Sequence, residues 1–317
     1  MATEEITKAG QARKLRSWML GLHATHILDV GGRVGYFRVI HELGGTCSAD
    51  DLAKTLGLDE WRTKVWCQAA CAVGILQAAD KSRFSFAAFM GDLLRDGAAD
   101  LLASHVLASL SRDFPSYPRA FATGEMKTFA EHDEDFFLHQ GKISSLRAPL
   151  IVKAARMIPG LKERLADGGQ VMDVGSGSGS VVFKFAQEFP ECQVTGVEPL
   201  PYFAESSRER VIEKGISERI RVHNIAAQNM QFENQFDLVT LVQVFHELPN
   251  DQKGAILRRC WHALRPGGKL LLVDRCAPEK AADLHDRRFT MSILEQWFEV
   301  TWGNIVNTRT EIADMLE

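Results

Sequence analysis

The sequence predicts a two-part α/β chain: a mainly helical first half, then a doubly wound, mostly parallel sheet. Three observations predict it. Helix follows helix and ends in a hairpin before residue ~97; strand and helix alternate after ~168; and a glycine-rich loop joins the first of those later strands to its helix. At roughly 150 residues per domain, 317 residues suit such a division. Hydrophobic residues make up 45% and charged residues 25%, ordinary proportions for a globular chain with a sizeable core.

The elements follow in order. Apolar positions recur at helical spacing over ~11–29 and ~34–43, and Gly44-Gly45 breaks the pattern. Ser48-Ala49-Asp50-Asp51 is a capping box with Asp in place of Glu or Gln, opening a short helix over 49–56. Asp59 caps a third helix over 60–73, which Gly74 ends. Segments 75–78 and 83–86 flank Asp80-Lys81-Ser82 as a two-stranded hairpin. Helix, helix, turn, helix, hairpin is the order of a winged helix, placed at 1–97. More helical pattern at ~99–112, ~116–122 and ~142–166 makes a helical linker over 98–167. In 168–317, strands are expected at 171–174, 193–197, 220–223, 236–242 and 269–273, with helices at 181–189, 202–214 and 252–264.

Composition narrows the function. The net charge of −4 leaves no electrostatic footprint for nucleic acid or an anionic membrane. No apolar run approaches the ~18 residues of a membrane span. The first five residues are polar and acidic, unlike a signal peptide. Cysteines stand at 47, 67, 71, 192, 260 and 276 without a Cys-x-x-Cys pair, which suits reduced thiols of a cytoplasmic protein.

The loop reads Asp173-Val174-Gly175-Ser176-Gly177-Ser178-Gly179. Its glycines let the backbone turn sharply and a ligand approach without Cβ clashes. Glu198 ends the next strand, 23 residues after Gly175, where a carboxylate can accept both hydroxyl protons of a ribose. Ser180 replaces the last glycine of the Gly-x-Gly-x-x-Gly nicotinamide pattern.

This motif, with Glu198, Phe236-Asp237-Leu238-Val239 and 264–274, resembles those of class I S-adenosylmethionine-dependent methyltransferases. The resemblance implies a Rossmann-like sheet and S-adenosyl-L-methionine as cofactor. It places Asp173, Gly175, Ser176, Gly177 and Gly179 around the cofactor, Glu198 on its ribose, Ala226, Ala227 and Gln228 by its adenine, and Gln243 beside it. The family often has Asp where Ala226 stands; Asn224 or Gln228 is the alternative adenine acceptor. The helical first half is similar to the dimerisation domain of small-molecule O-methyltransferases of the caffeate and hydroxyindole type, implying a homodimer. Thr308-Arg309-Thr310-Glu311 resembles the motif opening the family's last helix. The antiparallel strand pair that would follow is absent from the sequence, so either the chain is truncated or the fold ends differently; a missing sheet edge would expose apolar backbone.

His246 and Glu247 follow the fourth strand, at the sheet's carboxyl edge. The resemblance implies that His246 is the general base for an acceptor hydroxyl and that Glu247 orients or charge-stabilises it. Histidine suits that task because its pKa lies near working pH. A packing role for His246 is the competing reading. His23 and His26 lie three apart on one helix without a third metal ligand in sequence. No clustered carboxylates are legible at the edge, so a metal-free reaction is expected. His139, Phe136, Phe137, Met157, Met291, Trp297, Phe298 and Trp302 are candidates for lining an aromatic acceptor pocket, and Arg147 for meeting the methionine carboxylate of the cofactor.

The leading expectation is an O-methyltransferase of a small, aromatic acceptor. N- or C-methyl transfer, a methyltransferase fold running another reaction, and a winged-helix regulator sensing a nucleoside are the alternatives. Six basic against seven acidic residues over 45–97 argue against a DNA-reading head.

Overall fold

The computed structural model describes residues 6–80 and 82–317; the acidic start of the chain and Lys81 of the hairpin turn lie outside the described residues. The first elements are α1 (Lys8–Val34), α2 (Tyr36–Glu42), β1 (Thr46–Ser48), α3 (Ala49–Leu56), α4 (Glu60–Ala72), β2 (Leu76–Ala78), β3 (Arg83–Phe86), α5 (Met90–Leu93) and α6 (Ala99–Leu110). Then come α7 (Tyr117–Thr123), α8 (Glu134–Ser145), α9 (Ala148–Arg156) and α10 (Leu161–Ala166).

Several expectations change here. The first helix runs through Gly31-Gly32 instead of stopping at ~29. Those glycines are packing positions: a Cβ on Gly31 would lie 2.5 Å from Phe37 and 2.6 Å from Trp66, and one on Gly32 2.6 Å from His105. Trp66 is buried, stacked on Tyr36 at 4.3 Å, with its indole N–H donating to the Ile27 carbonyl. The Ser48–Asp51 capping box and the Asp59 cap are both present. β1 was not legible in the sequence; it pairs with β3 and completes a three-stranded antiparallel sheet, β1-β3-β2. The expected helical stretch at ~142–166 is two helices and the end of a third, because Pro149 opens α9 and Gly160, at φ 73°, precedes α10.

Packing divides the chain into two compact units. One holds residues up to 115 together with 134–143; the other holds 116–133 and 144–317. These borders differ from the expected ones at 97 and 167. In the first unit, Tyr36, Phe37, Leu52, Trp66 and Leu76 form the core. Residues 134–143 join it through polar groups: Arg33 bridges Asp29 and Asp135, His105 Nδ1 meets Asp29 at 2.7 Å, and the His105 and His139 rings pack at 4.6 Å.

The second unit is built on β4 (Gln170–Val174), α11 (Ser180–Glu188), β5 (Gln193–Val197), α12 (Pro201–Glu213), β6 (Ile220–His223), β7 (Phe236–Val242), α13 (Lys253–Ala263), β8 (Leu264–Val273), α14 (Thr290–Glu299) and α15 (Arg309–Leu316). The strand order is β6-β5-β4-β7-β8, and every pairing is parallel. Alternation along β4 sends Val171 into one core with Phe185 and Val194, and Met172 and Val174 into another with Val239, Leu241 and Ile256. β8 starts five residues earlier than expected, with a register shift between Phe236 and Leu238 of its partner β7. Thr308 and Glu311 cap α15, which places Ile312 in the second core. The order in which strands are added reverses beside β4, with β5 on one side and β7 on the other, so the loop after β4 sits at the switch point where open α/β sheets bind ligands.

Candidate functional site

The glycines after β4 do three different jobs. Gly175, at φ 71°, passes under Val244: a Cβ there would lie 2.2 Å from Val244 Cγ2. Gly179, at φ 80°, abuts Ser207 Oγ, which a Cβ would meet at 2.8 Å. Gly177, at φ 52°, faces open space, with nothing within 4 Å of its absent Cβ. Of the three, Gly177 alone is bare toward a ligand.

Glu198 stands behind this loop, 4% exposed. Its Oε2 accepts from the Gly177 N–H at 2.8 Å and its Oε1 from the Leu200 N–H at 2.9 Å. Burial pushes its carboxyl above the usual range, against those two hydrogen bonds. A carboxylate has about four lone-pair sites, so both oxygens retain capacity for ribose hydroxyls. Asp173 lies fully inside, accepting from Thr240 Oγ1 at 2.5 Å; burial pushes it up to about 7. Ser176 turns its hydroxyl onto Gly196. Asp173 and Ser176 therefore support the loop from beneath.

Ala226, Ala227 and Gln228 form a turn after β6, with Gln228 partly exposed. Asn224 spends its amide N–H groups on the carbonyls of Glu198 and Pro199, both at 2.9 Å, and so shapes this loop.

His246 sits in a 3₁₀ turn after β7, 3% exposed. Gln243 enters that turn at φ 53°, an uncommon conformation for a residue with a side chain. Its N–H donates to Val273 O, and its amide reaches Asp274 at 3.4 Å. Asp274, just past β8, accepts from the His246 backbone N–H at 3.1 Å and meets its Nδ1 at 2.7 Å. On the other ring nitrogen, Nε2 lies 3.7 Å from Glu299 and 3.9 Å from Glu247. Burial lowers the imidazole pKa, but hydrogen bonding to Asp274 and Glu299 and the nearby carboxylate charges outweigh it, pushing it up to about 11. Burial and the negative charges of Glu299 and Glu198 raise Glu247 in turn.

This corrects two expectations. Carboxylates do cluster at the edge, and the imidazole's hydrogen-bonding carboxylate is Asp274, not the adjacent Glu247. Neither Asp274 nor Glu299 was among the candidates, because they lie 28 and 53 residues beyond His246 in sequence. The only local signal was Asp274's place just past the last apolar strand. His246, Glu247 and Glu299 together also have the donor types of a divalent-cation site. A buried lysine holds part of this arrangement. Lys253 Nζ donates to Ile305 O at 2.8 Å and Asn307 Oδ1 at 2.6 Å, and the Ile305 N–H donates to His246 O.

The other candidates scatter. Arg147 is half-buried and its guanidinium has no ion pair among the described residues; Arg275, nearby, pairs with Glu295 at 2.7 Å. Trp297 packs with Phe121 at 5.3 Å and Tyr117 at 5.6 Å, and Trp302 with Phe129, His132 and Phe298. Trp297 lies two residues before Glu299 on α14. Phe136, Phe137 and His139 are buried in the first unit, His139 with Nδ1 on the Asp135 carbonyl. Met157 and Met291 are exposed. His26 meets Ser111, the residue just past α6, and not a third metal ligand.

A family model described as a methyltransferase domain matches residues 171–268. Residues 171–268 therefore carry a methyltransferase domain. A 3-hydroxy-5-methyl-1-naphthoate 3-O-methyltransferase from Streptomyces sahachiroi is 23% identical over 93% of this chain and 85% of its own length. The solved structure of a mitomycin 7-O-methyltransferase superposes with a TM-score of 0.77 at 19% identity, covering 97% of this chain and 91% of that one. This chain thus has the O-methyltransferase fold. A shorter stretch, 46% of this chain and 37% of the other, is 34% identical to an aclacinomycin 10-hydroxylase from Streptomyces purpurascens.

Proposed function

We propose that this methyltransferase moves a methyl group to a hydroxyl of a small aromatic acceptor, with His246 taking up the hydroxyl proton and no metal required. The observation that carries the reading is the His246–Asp274 pair at the carboxyl edge of the sheet that holds the glycine loop. When bound, S-adenosylmethionine supplies a methyl group already activated on a sulfonium. The residues present fit it: Gly177 leaves an open approach, Glu198 offers a buried acceptor for ribose hydroxyls, and Arg147 is an unpaired cation for a carboxylate. Ala226, Ala227, Gln228 and Gln243 complete the proposed cofactor contacts. The Tyr117 and Phe121 rings pack on Trp297, two residues before Glu299 on α14, and this aromatic group supports a flat apolar acceptor.

Asp274 holds Nδ1, so Nε2 is the atom that receives the proton. The surrounding carboxylates stabilise the imidazolium as it forms, which is what an orienting acid does for a histidine base. Exposed Leu15, Trp18, Met19 and Leu22 on α1 and Trp61 on α4 support a homodimer built on the first unit. Sedimentation at micromolar concentration is expected to show a dimer; a monomer contradicts it.

The deciding experiment incubates the protein with labelled S-adenosylmethionine and a panel of phenols, amines and acids, with and without a chelator, and weighs the products. A phenol heavier by one methylene, formed equally with chelator, supports the proposal. Loss of turnover restored by a divalent ion makes the His246–Glu247–Glu299 cluster a metal centre instead. The likeness to a hydroxylase favours a second reading, another reaction on the same fold; a product heavier by one oxygen supports that one.

A further inference from the structure

The second unit holds a cavity of about 520 Å³ that no step above uses. α9, α11, α12 and the segment after α12 line it. Lys184, Arg210, Lys214 and Arg219 are its charged lining residues, and no acidic residue lines it. That is a sharp local excess in a chain whose net charge is −4. Two of the four cations are held in place: Arg219 Nη1 donates to Ala186 O at 3.0 Å, and Arg210 Nη1 to Ser178 O at 2.6 Å. Lys184 pairs with Glu188, which also takes Arg156. Lys214 has no ion pair among the described residues. Phe183 and Ile216 give the cavity an apolar surface. The volume falls in the range of small-molecule pockets, about 300–1,000 Å³, well beyond an inorganic ion.

We infer that this cavity binds a small organic phosphate, and that Arg210 couples its occupancy to the cofactor loop. Several cations around one concavity favour a multiply charged anion over a single carboxylate, and phosphate accepts hydrogen bonds from both guanidinium and ammonium groups. The apolar surface takes the organic body of the ligand. The link to the loop is short. The Arg210 guanidinium lies 4.2 Å over the Phe183 ring while it holds the Ser178 carbonyl, one residue beyond Gly177. From the same helix, Ser207 Oγ donates to Gly177 O at 3.2 Å. A phosphate that engages Arg210 competes with Ser178 O and alters the loop's support. Linkage requires the effect to run equally in both directions.

The coupling half rests on the cofactor reading above; anion binding does not, and the two are measured separately. Calorimetry on the full chain uses pyrophosphate and adenosine diphosphate as probes, at ionic strength held constant with sodium chloride. Both are expected to bind, the nucleotide more tightly because it fills more of the cavity. The double variant Lys184→Gln/Lys214→Gln is expected to weaken both by about tenfold or more. Its affinity for S-adenosylhomocysteine without phosphate should stay within about twofold of the parent chain, since neither lysine touches the loop. Saturating pyrophosphate should change the S-adenosylhomocysteine affinity of the parent chain by about fivefold, and that of the variant hardly at all. Heat no greater than the salt control, or equal affinity in the variant, overturns the site. Binding without any change in cofactor affinity overturns the coupling. A chain that binds pyrophosphate but not S-adenosylhomocysteine leaves the anion site standing and removes the cofactor reading.

Discussion

The glycine loop and the His246 cluster lie at the same edge of one sheet, yet they are built in opposite ways. The loop is local: seven consecutive residues, whose exposed chemistry is backbone and which Glu198, Ser207, Arg210 and Thr240 brace from outside. The cluster is assembled: His246 and Glu247 come from the turn after β7, Asp274 from the end of β8, and Glu299 from the end of α14. A backbone site depends on turn geometry, which neighbouring residue types dictate. A side-chain site depends on how distant segments stack. The first therefore breaks through sterics and the second through charge.

Removing the imidazole tests the assembled half hardest. His246→Ala should lower kcat by about 10²-fold or more while leaving S-adenosylhomocysteine affinity within a few-fold. His246→Gln should do nearly the same, because an amide cannot take up the proton. Rate measurements across phenols of falling pKa should show the deficit shrinking, since an ionised acceptor needs no base. An equal deficit for all acceptors removes the base role.

The local half is probed by Gly177→Asp and Glu198→Ala. The first puts a side chain and a charge into the open space at Gly177, and forces a non-glycine residue to φ 52°. The second removes the proposed ribose acceptor and should cost about 1.5–3 kcal/mol of cofactor binding. Calorimetry with S-adenosylhomocysteine measures both, and unchanged affinity in the pair would falsify the assignment. Neither variant should alter the acceptor-pKa dependence of the rate.

Glu247→Gln sharpens the electrostatic contrast. Glu247 is among the carboxylates that hold His246 up at about 11. In the proposed mechanism the neutral imidazole is the base, so kcat/KM for a phenol should rise with pH across the neutral range. Removing one carboxylate lowers the imidazole pKa, and that rising limb should move to lower pH. A limb that stays put means Glu247 does not act on His246.

The smallest effect expected is on stability. Burial lifts Asp173 from its ordinary 3.8 to about 7. Between those values the folded chain keeps a proton that the unfolded chain has released, so this group's contribution to stability falls as pH rises through that window. Asp173→Asn removes the titration. Thermal melting should show the variant gaining on the parent chain between pH 5 and pH 8; a constant difference sinks the argument.

Much of the fold was legible in the sequence because its signals are short-range. The Ser48–Asp51 and Thr308–Glu311 boxes, the strand–helix alternation and the loop's glycines all act within a few residues. The misreadings came where packing overrides local preference. The apolar pattern of the first helix fades at ~29, yet α1 continues because Gly31 and Gly32 let it lie against Phe37, Trp66 and His105. β1 is three residues long, too short for an alternation pattern, and exists because β3 offers it a free edge.

The sequence by itself determined the order of the elements, the ligand-facing loop with its acid, and the presence of a histidine at the sheet's carboxyl edge. Those follow from turn chemistry, side-chain period and parallel-strand topology, all of which a linear pattern carries. Only the tertiary structure decided which carboxylate holds that histidine, how strongly its proton is favoured, and which of three glycines is bare. Each of those depends on atoms brought within a few ångströms across tens of residues of chain. Burial then magnifies their charges, because low-dielectric surroundings strengthen every interaction that water would otherwise screen.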